Sequence, residues 1–230
     1  MSSINLFPIK LYKTFYDDCQ SVKDNLFPKL DYAWKPSEEN NQIFMRDGTI
    51  CTYYEESHIH RKFPEETKKI IEFVEYHAKQ YWKELDYFDG LEPFVLEMWA
   101  NKTPKGGWVH SHAHLSLPLT ATLYIDASPE QGNIIFENPM DMLLASQPVN
   151  YKNGKYQFEH EFETNTGDLV IFPGYIKHKV KPNTTDRERL ILGFTFGCRG
   201  LYWAQNWVTE PTGHIEDVMN DLYKNRKKFY

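Results

Sequence analysis

Short apolar stretches alternate with turn residues at near-regular intervals from residue 93 onward. This pattern predicts seven strands, and many short strands at even spacing are typical of a β-sandwich or barrel. The segment "DLVIF" is apolar at every position, which favours a strand covered on both faces. The predicted strands span residues 93–102, 119–126, 133–139, 156–163, 167–174, 177–183 and 189–197.

The residues before these strands predict mainly helix and irregular chain. The clearest helix spans residues 64–85, because Pro64 suits a first helical position and the two glutamates after it suit the positive end of the helix dipole. Apolar residues then recur at roughly helical spacing. A shorter helix is expected over residues 16–26, and an amphipathic helix over residues 212–230.

These elements predict a single, mainly β domain with flanking helices over residues 1–230, since all-β proteins of this length often form one domain. Within it we expect a helical N-terminal part at residues 1–92, a β core at residues 93–200 and the C-terminal helix. The aromatic fraction of 16% favours an aromatic-lined core or pocket.

Charge and cysteine content argue against several classes of partner. The net charge of −6 is spread along the chain and gives no footprint for nucleic acid or an anionic membrane surface. No run approaches the length that spans a bilayer, and no apolar leader marks a signal peptide. Three widely spaced cysteines give no disulfide framework, which favours a reducing, cytoplasmic setting.

The stretch "WVHSHAHLSL" places His110, His112 and His114 at alternate positions. Residues two apart on a strand point to the same face, so two imidazoles can converge on one ion. Local geometry allows either neighbouring pair to do so, and a third ligand must come from another strand. His178 is the candidate, because it follows an apolar strand and a Pro-Gly turn. Three ligands on one side of an ion leave open positions, as a catalytic site requires.

Arg189 stands at the head of the apolar strand "RLILGFTF". A guanidinium that points into an apolar sandwich is costly unless it meets an anion. The carboxylate of a small molecule would meet that need with two charge-assisted hydrogen bonds. The alternative is a salt bridge with Asp186 or Glu188.

Three stretches together resemble the iron(II)/2-oxoglutarate-dependent oxygenase superfamily. They are "LEMWANKTPKGGWVHSHAHLSLPLTATLYID", "GNIIFENP" and "TGDLVIFPGYIKHKVKPNTTDRERLILGFTF". More narrowly, the chain is similar to a family of such oxygenases from bacteria and phages with an H-x-H…H pattern. The resemblance covers residues 93–196, and "LFPIKLYKTF" resembles that family's N-terminal strand. Further matching positions are Gly132, Phe136, Pro139, Gly167, Asp168, Phe172, Pro173 and Val180.

The resemblance implies a double-stranded β-helix, the cupin-like jelly roll. It also implies that His112, His114 and His178 hold Fe(II), and that Arg189 binds the far carboxylate of 2-oxoglutarate. With O2 as the second co-substrate, the implied reaction hydroxylates an unidentified small molecule or protein side chain and releases succinate and CO2.

Two further residues are candidates for binding the co-substrate. Tyr124 matches a tyrosine of the family and either donates a hydrogen bond to 2-oxoglutarate or is a plain core tyrosine. Asn101 ends its strand near the site and is otherwise a turn residue.

The sequence also departs from the family pattern. Leu115 replaces a proline, Thr120 and the following alanine replace Ser-Gly, and Ile191 replaces a serine. His114 stands where the superfamily more usually carries Asp or Glu, although imidazole binds Fe(II) well. Glu137 is therefore a possible additional acidic ligand.

Simpler interpretations remain for the other residues. His110 is expected at the site entrance, bonded to a metal ligand through its ring or a water. Trp99 and Trp108 are expected to pack rather than to contact substrate, and His58 and His60 are expected in a surface loop. The alternatives for the whole protein are a three-histidine cupin-type metalloenzyme that does not use 2-oxoglutarate and a non-catalytic jelly-roll binding module.

Overall fold

The structure of the protein is a computed structural model that describes residues 9–36, 45–87, 90–140 and 158–200. The predicted helix over residues 212–230 lies outside these ranges. The described part contains twelve strands: β1 (Tyr12–Phe15), β2 (Lys35–Pro36), β3 (Met45–Arg46), β4 (Ile50–Cys51), β5 (Leu91–Thr103), β6 (Trp108–His112), β7 (Leu119–Asp126), β8 (Ile134–Glu137), β9 (Glu159–Phe162), β10 (Asp168–Pro173), β11 (His178–Val180) and β12 (Arg189–Gly200).

The strands form two antiparallel sheets. The large sheet has seven strands in the order β1-β10-β7-β12-β5-β4-β2, and the small sheet has five in the order β3-β6-β11-β8-β9. Neighbours in each sheet are mostly distant in sequence, as in the winding of a jelly roll. The predicted fold, a mainly β jelly roll with flanking helices, is confirmed.

The seven predicted strands are all present, with ends shifted by a few residues. The part of the chain before residue 92 contains, besides its helices, the strands β1 to β4, which join both sheets. Three of these four strands are only two residues long, so they carry no alternation that a sequence pattern could reveal.

Helices cover the outer face of the large sheet. They are α1 (Cys19–Asn25), α2 (Ile59–Lys62) and α3 (Pro64–Glu84). In α3 the residues Ile70, Val74 and Ala78 follow a spacing of four and are fully buried. They belong to a core cluster with outward-facing residues of β7 and β12, including Leu123 and Leu192. This outer core holds the large sheet rigidly behind the site. Within the described ranges, no helix is both long and apolar enough to cross a membrane.

A second, smaller core lies between the two sheets. Its buried members are Tyr124, Ala127, Ile134, Phe136, Val170, Phe172, Ile176 and Ile191. Because strand residues alternate between faces, the outer cluster uses Leu123 of β7 while this inner cluster uses Tyr124. The side chains of this inner cluster line a region between the sheets, which we call the inner chamber.

Candidate metal and co-substrate site

Three histidines converge at one end of the inner chamber. One ring nitrogen each of His112, His114 and His178 lies within 4.8 Å of the other two. The ring centroids of His112 and His178 are 4.3 Å apart, and that of His114 is 5.2 Å from His112 and 5.4 Å from His178. The structure therefore brings together the three predicted ligands from β6, the loop after it and β11.

A β-bulge decides which histidine of β6 faces the chamber. His112 pairs with His178 and Val109 pairs with Val180, so three steps along β6 oppose two steps along β11. Such an extra residue breaks the alternation of side chains. The sequence-based expectation that His110 and His112 share a face is therefore wrong. The ring of His110 instead packs on the indole of Trp108, with centroids 4.1 Å apart.

His114 reaches the cluster from a loop, because β6 ends at His112. The backbone N–H of His114 donates to the carbonyl of Gly174 over 2.9 Å, which ties this loop to the turn before β11. A Cβ atom on Gly174 would lie 2.2 Å from the carbonyl oxygen of Leu117 and 2.7 Å from that of His114. Glycine is thus required where the turn approaches the loop, and this close approach positions His114.

Backbone carbonyls fix the tautomers of two of the rings. Nδ1 of His112 lies 2.8 Å from the carbonyl oxygen of His110, and Nδ1 of His178 lies 3.1 Å from that of Ile176. A carbonyl only accepts, so each Nδ1 must carry the hydrogen. The lone pair of each neutral ring then sits on Nε2, the atom that a metal would bind. His110 thus contacts His112 through its main-chain carbonyl.

Burial keeps the three rings neutral. It lowers the pKa of His114 to about 4, and the neighbouring His112 adds to the effect. Burial also lowers the pKa of His112, and it holds the pKa of His178 well below its usual value. Neutral imidazoles are the form that binds a divalent metal. Among the described residues no carboxylate joins this cluster, so Glu137 is not one of the grouped ligands.

Arg189 lies on the face of the large sheet that lines the inner chamber. It pairs with Thr103 of β5, two residues before Ile191 of the inner cluster. Its side chain is 3% exposed, and burial lowers its pKa to about 10. Neither alternative salt bridge forms, because Asp186 pairs with Lys105 and Arg189 has no ion pair within the described residues. Its Nε atom is buried there without a partner.

Tyr124 and Asn101 flank Ile191 on this same face. Both residues pair with Ile191 across the strands, Tyr124 from β7 and Asn101 from β5. Tyr124 is 2% exposed, and burial raises the pKa of its phenol to about 12, against the opposing charge of Arg189. The Oδ1 atom of Asn101 is buried without a partner in the described part of the chain. Asn101 lies within a strand, so the interpretation as a turn residue is wrong.

Aromatic side chains line the remaining walls. Phe172 and Phe136 pack against His178, with ring centroids 4.8 and 6.4 Å away. Trp99 lies 6.0 Å from His114 between centroids and covers Gly193, where a Cβ atom would meet the indole at 2.4 Å. These walls limit the access of water to the metal cluster.

The second H-x-H pair is not part of this site. His58 directly precedes α2, and His60 lies in that helix. Burial lowers the pKa of His60 to about 4. The two ring centroids are 6.1 Å apart, and neither residue joins a group of metal-ligand side chains among those described, as expected from the lack of a third ligand at a suitable spacing.

Fold and site together define a jelly-roll protein with a three-histidine cluster and a buried arginine between its sheets. Residues 97–195 match the profile of a family described as "Putative 2OG-Fe(II) oxygenase". A PKHD-type hydroxylase of Cupriavidus metallidurans is 27% identical over 101 residues, which make up 40% of this chain and 40% of that protein. The resemblance predicted from the sequence is thus confirmed for this segment, and the chain matches less than half the length of that curated relative.

Solved structures share the fold at low sequence identity. A prolyl-4-hydroxylase of Pseudomonas putida superposes with a TM-score of 0.55 at 20% identity, covering 82% of this chain and 92% of that chain. HygX of Streptomyces hygroscopicus, solved with nickel and 2-oxoglutarate bound, gives a TM-score of 0.51 at 11% identity, with 90% of this chain and 89% of that chain covered. Both similarities extend over the N-terminal elements, beyond the segment that matches the family profile.

Some residues of the site were not visible in the sequence. Thr103 and Gln131 contact Arg189, and Gly174 fixes the loop of His114. Gln131 and Thr103 are polar residues next to turn sequences, which most often signal exposure. In the sequence, only Gly132, which matches the family pattern, indicated that this region belongs to the site.

Proposed function

We propose that the protein is an Fe(II)- and 2-oxoglutarate-dependent oxygenase that hydroxylates its substrate and releases succinate and CO2. One observation carries the proposal: three neutral imidazoles line the same apolar chamber as a buried arginine that has no ion pair within the described ranges. The family match over residues 97–195 supports the same conclusion.

The histidine cluster fits a divalent iron. Imidazole is a suitable ligand for Fe(II), and three ligands on one side leave positions for other molecules. His112 and His178 come from two adjacent strands and their Nδ1 atoms are held by carbonyls, so their rings cannot easily rotate away. This support is what a metal site requires from the groups around its ligands.

Arg189 fits a carboxylate. Its Nη1 atom donates to the carbonyls of Gln131 and Gly132, and Nη2 donates to the hydroxyl of Thr103. The edge formed by Nε and Nη2 can therefore face the chamber and donate two parallel hydrogen bonds to an anion. A buried cation with an unpartnered N–H is costly, and a bound carboxylate would offset that cost.

The side chains of the chamber divide the work of the reaction. When bound, Fe(II) and 2-oxoglutarate would activate O2, which is the oxidant: one of its oxygen atoms would enter the hydroxylated product and the other the succinate. His112, His114 and His178 would hold the iron, and Arg189 would hold the far carboxylate of the co-substrate. Phe136 and Phe172 exclude water around His178, which strengthens the electrostatic contacts of the chamber.

Tyr124 and Asn101 would orient the co-substrate. The phenol of Tyr124 stays protonated because burial raises its pKa to about 12, so it can donate a hydrogen bond. The amide of Asn101 lies on the neighbouring strand and can bond to a polar group in the chamber.

The test is turnover of 2-oxoglutarate by the purified full-length chain with Fe(II) under air, with succinate measured by NMR. We expect slow succinate formation without added substrate, and its loss in Arg189→Ala. Arg61→Ala is the matched control, since this exposed arginine lies in α2, away from the chamber. Turnover that survives Arg189→Ala, or a wild type that binds iron without forming succinate, would overturn the proposal.

A three-histidine centre also suits a cupin-type metalloenzyme that does not use 2-oxoglutarate, and the histidine at position 114 favours this alternative. It is supported if iron binds at micromolar concentration while 2-oxoglutarate neither binds nor turns over. Failure of Fe(II) and Mn(II) to bind at all, measured by calorimetry, would instead support a non-catalytic module.

The substrate is proposed to be a small molecule or a protein side chain. Hydroxylation is proposed as the reaction because two of the similar proteins are named as hydroxylases. A cytoplasmic location is proposed as well. It is supported by the three buried cysteines, which form no disulfide.

A further inference from the structure

A tight turn between β7 and β8 encloses the start of β12. It consists of the 3-10 turn Pro129–Gln131 and Gly132. The side chain of Gln131 is fully buried, and its Nε2 atom donates to the backbone carbonyls of Arg187 (3.2 Å) and Glu188 (3.0 Å). Its Oε1 atom accepts from Nη2 of Arg187 over 3.1 Å. Gln131 thus holds the two residues that directly precede Arg189.

The backbone of the same turn holds the guanidinium. Nη1 of Arg189 donates to the carbonyl oxygen of Gly132 over 2.6 Å and to that of Gln131 over 3.3 Å. From the opposite side, the hydroxyl of Thr103 accepts from Nη2 over 3.3 Å. These contacts use both hydrogens of Nη1 and leave the Nε edge for a ligand.

Gly132 makes this arrangement possible. Its φ of +97° is a conformation that side chains disfavour, and a Cβ atom here would lie 2.1 Å from the carbonyl oxygen of Lys181. The backbone of Gly132 therefore packs directly against the segment after β11. This contact fixes the position of the Gly132 carbonyl that accepts the hydrogen bond from Arg189.

We propose that Gln131 and Gly132 are positioning residues that set where the Nε edge of Arg189 stands in the chamber. The inference rests on the proposed function. If the histidine cluster holds one end of a 2-oxo diacid and Arg189 holds the other, the position of Arg189 decides which chain length fits. The turn would then determine the selectivity for 2-oxoglutarate over 2-oxo diacids that are one methylene shorter or longer.

The experiment measures binding selectivity in the full-length protein loaded with Mn(II), without turnover. Dissociation constants are determined by calorimetry for Mn(II), 2-oxoglutarate, oxaloacetate and 2-oxoadipate. The variant is Gln131→Met, which keeps the volume of the side chain and removes its hydrogen bonds. The matched control is Asn133→Ala, because this buried amide of the same loop bonds to Glu161 and Thr164 and does not contact Arg189.

We expect Gln131→Met to weaken 2-oxoglutarate binding by about tenfold, the equivalent of one charge-assisted hydrogen bond, while the affinity for Mn(II) stays within about twofold. The preference for 2-oxoglutarate over the other two diacids should fall by about fivefold or more. Asn133→Ala should keep the preference of the wild type. A purely structural role of Gln131 would weaken all ligands and the metal alike, and would overturn the inference.

Two results separate this inference from the proposed function. If the wild type does not bind 2-oxoglutarate, the proposed function fails. If the wild type binds it and Arg189→Ala abolishes binding, but Gln131→Met keeps the wild-type preference, only the role of the turn fails. Should Gln131→Met not fold by circular dichroism, Arg187→Ala removes the donor to Oε1 of Gln131 and gives the same comparison.

Discussion

Nδ1 of His112 donates a hydrogen bond to the backbone carbonyl of His110 over 2.8 Å. We therefore expect the main-chain carbonyl of His110, and not its ring, to support the metal site. We predict that His110→Ala binds Mn(II) within about twofold of the wild type, whereas His112→Ala loses about a hundredfold or more in affinity. Calorimetric titration measures both. A comparable loss in both variants would mean that the ring of His110 is a ligand.

The loop of His114 depends on Gly174. A Cβ atom at this position would press on two carbonyl oxygens, those of Leu117 and His114. We predict that Gly174→Ala lowers the affinity for Mn(II) by about tenfold, because the loop must move and the imidazole moves with it. Gly106→Ala is the control. Its Cβ would meet nothing within 4 Å, so it should cost backbone strain at φ +85° without changing metal binding.

Tyr124 offers a test of co-substrate orientation. Tyr124→Phe keeps the aromatic packing and removes only the hydroxyl group. If the phenol donates to 2-oxoglutarate, its dissociation constant should rise by about tenfold with little change in the thermal midpoint. A lower thermal midpoint with unchanged 2-oxoglutarate affinity would instead show a plain core tyrosine.

The neutral histidines predict a pH dependence of stability in the metal-free protein. Burial depresses the pKa of His114 to about 4 and holds that of His178 well below its usual value, so the unfolded chain takes up more protons as pH falls. This contribution is fully present above the ordinary histidine pKa of about 6.5 and is lost as pH falls below it toward the folded values. His60 lies away from the site, and its lowered pKa adds to the same loss of stability as pH falls.

Metal binding should sharpen this dependence. Protons and Mn(II) compete for the same lone pairs, so the rise in thermal midpoint that Mn(II) gives at pH 7.5 should shrink strongly at pH 5.0. Differential scanning fluorimetry with and without Mn(II) measures it. His60→Asn should leave the metal-dependent part unchanged, whereas an equal Mn(II) effect at both pH values would argue against histidine ligands.

Sequence and structure agree best where periodicity is strong. The seven strands after residue 93 and the helix over residues 64–85 were predicted within a few residues, because their apolar positions repeat over many residues. The strands β2 to β4 were missed, since two-residue strands form only when a neighbouring strand is already present. Their pairing is a property of tertiary structure and not of local sequence.

The site was predictable in its residue types and not in its geometry. His112, His114, His178 and Arg189 were selected by metal-ligand chemistry, by the cost of a buried charge and by the family resemblance. The way His114 enters the cluster was not predictable, because a loop contact to Gly174 sets it instead of strand alternation. Gln131 was equally invisible, since a buried amide and an exposed one look the same in a sequence.

Because of the bulge in β6, the metal cluster depends on the register of this strand against β11. A regular ladder running on from the pair of Val109 and Val180 would put Ser111 opposite His178 and turn the ring of His112 away. All three histidines would still be present in the sequence, yet His112 would be missing from the cluster. The pairing of Val109 with Val180, three residues from His112 and two from His178, thus helps to decide which side chain meets the ion. A conservative repacking at Val109 can therefore inactivate the metal centre without altering any of its ligands.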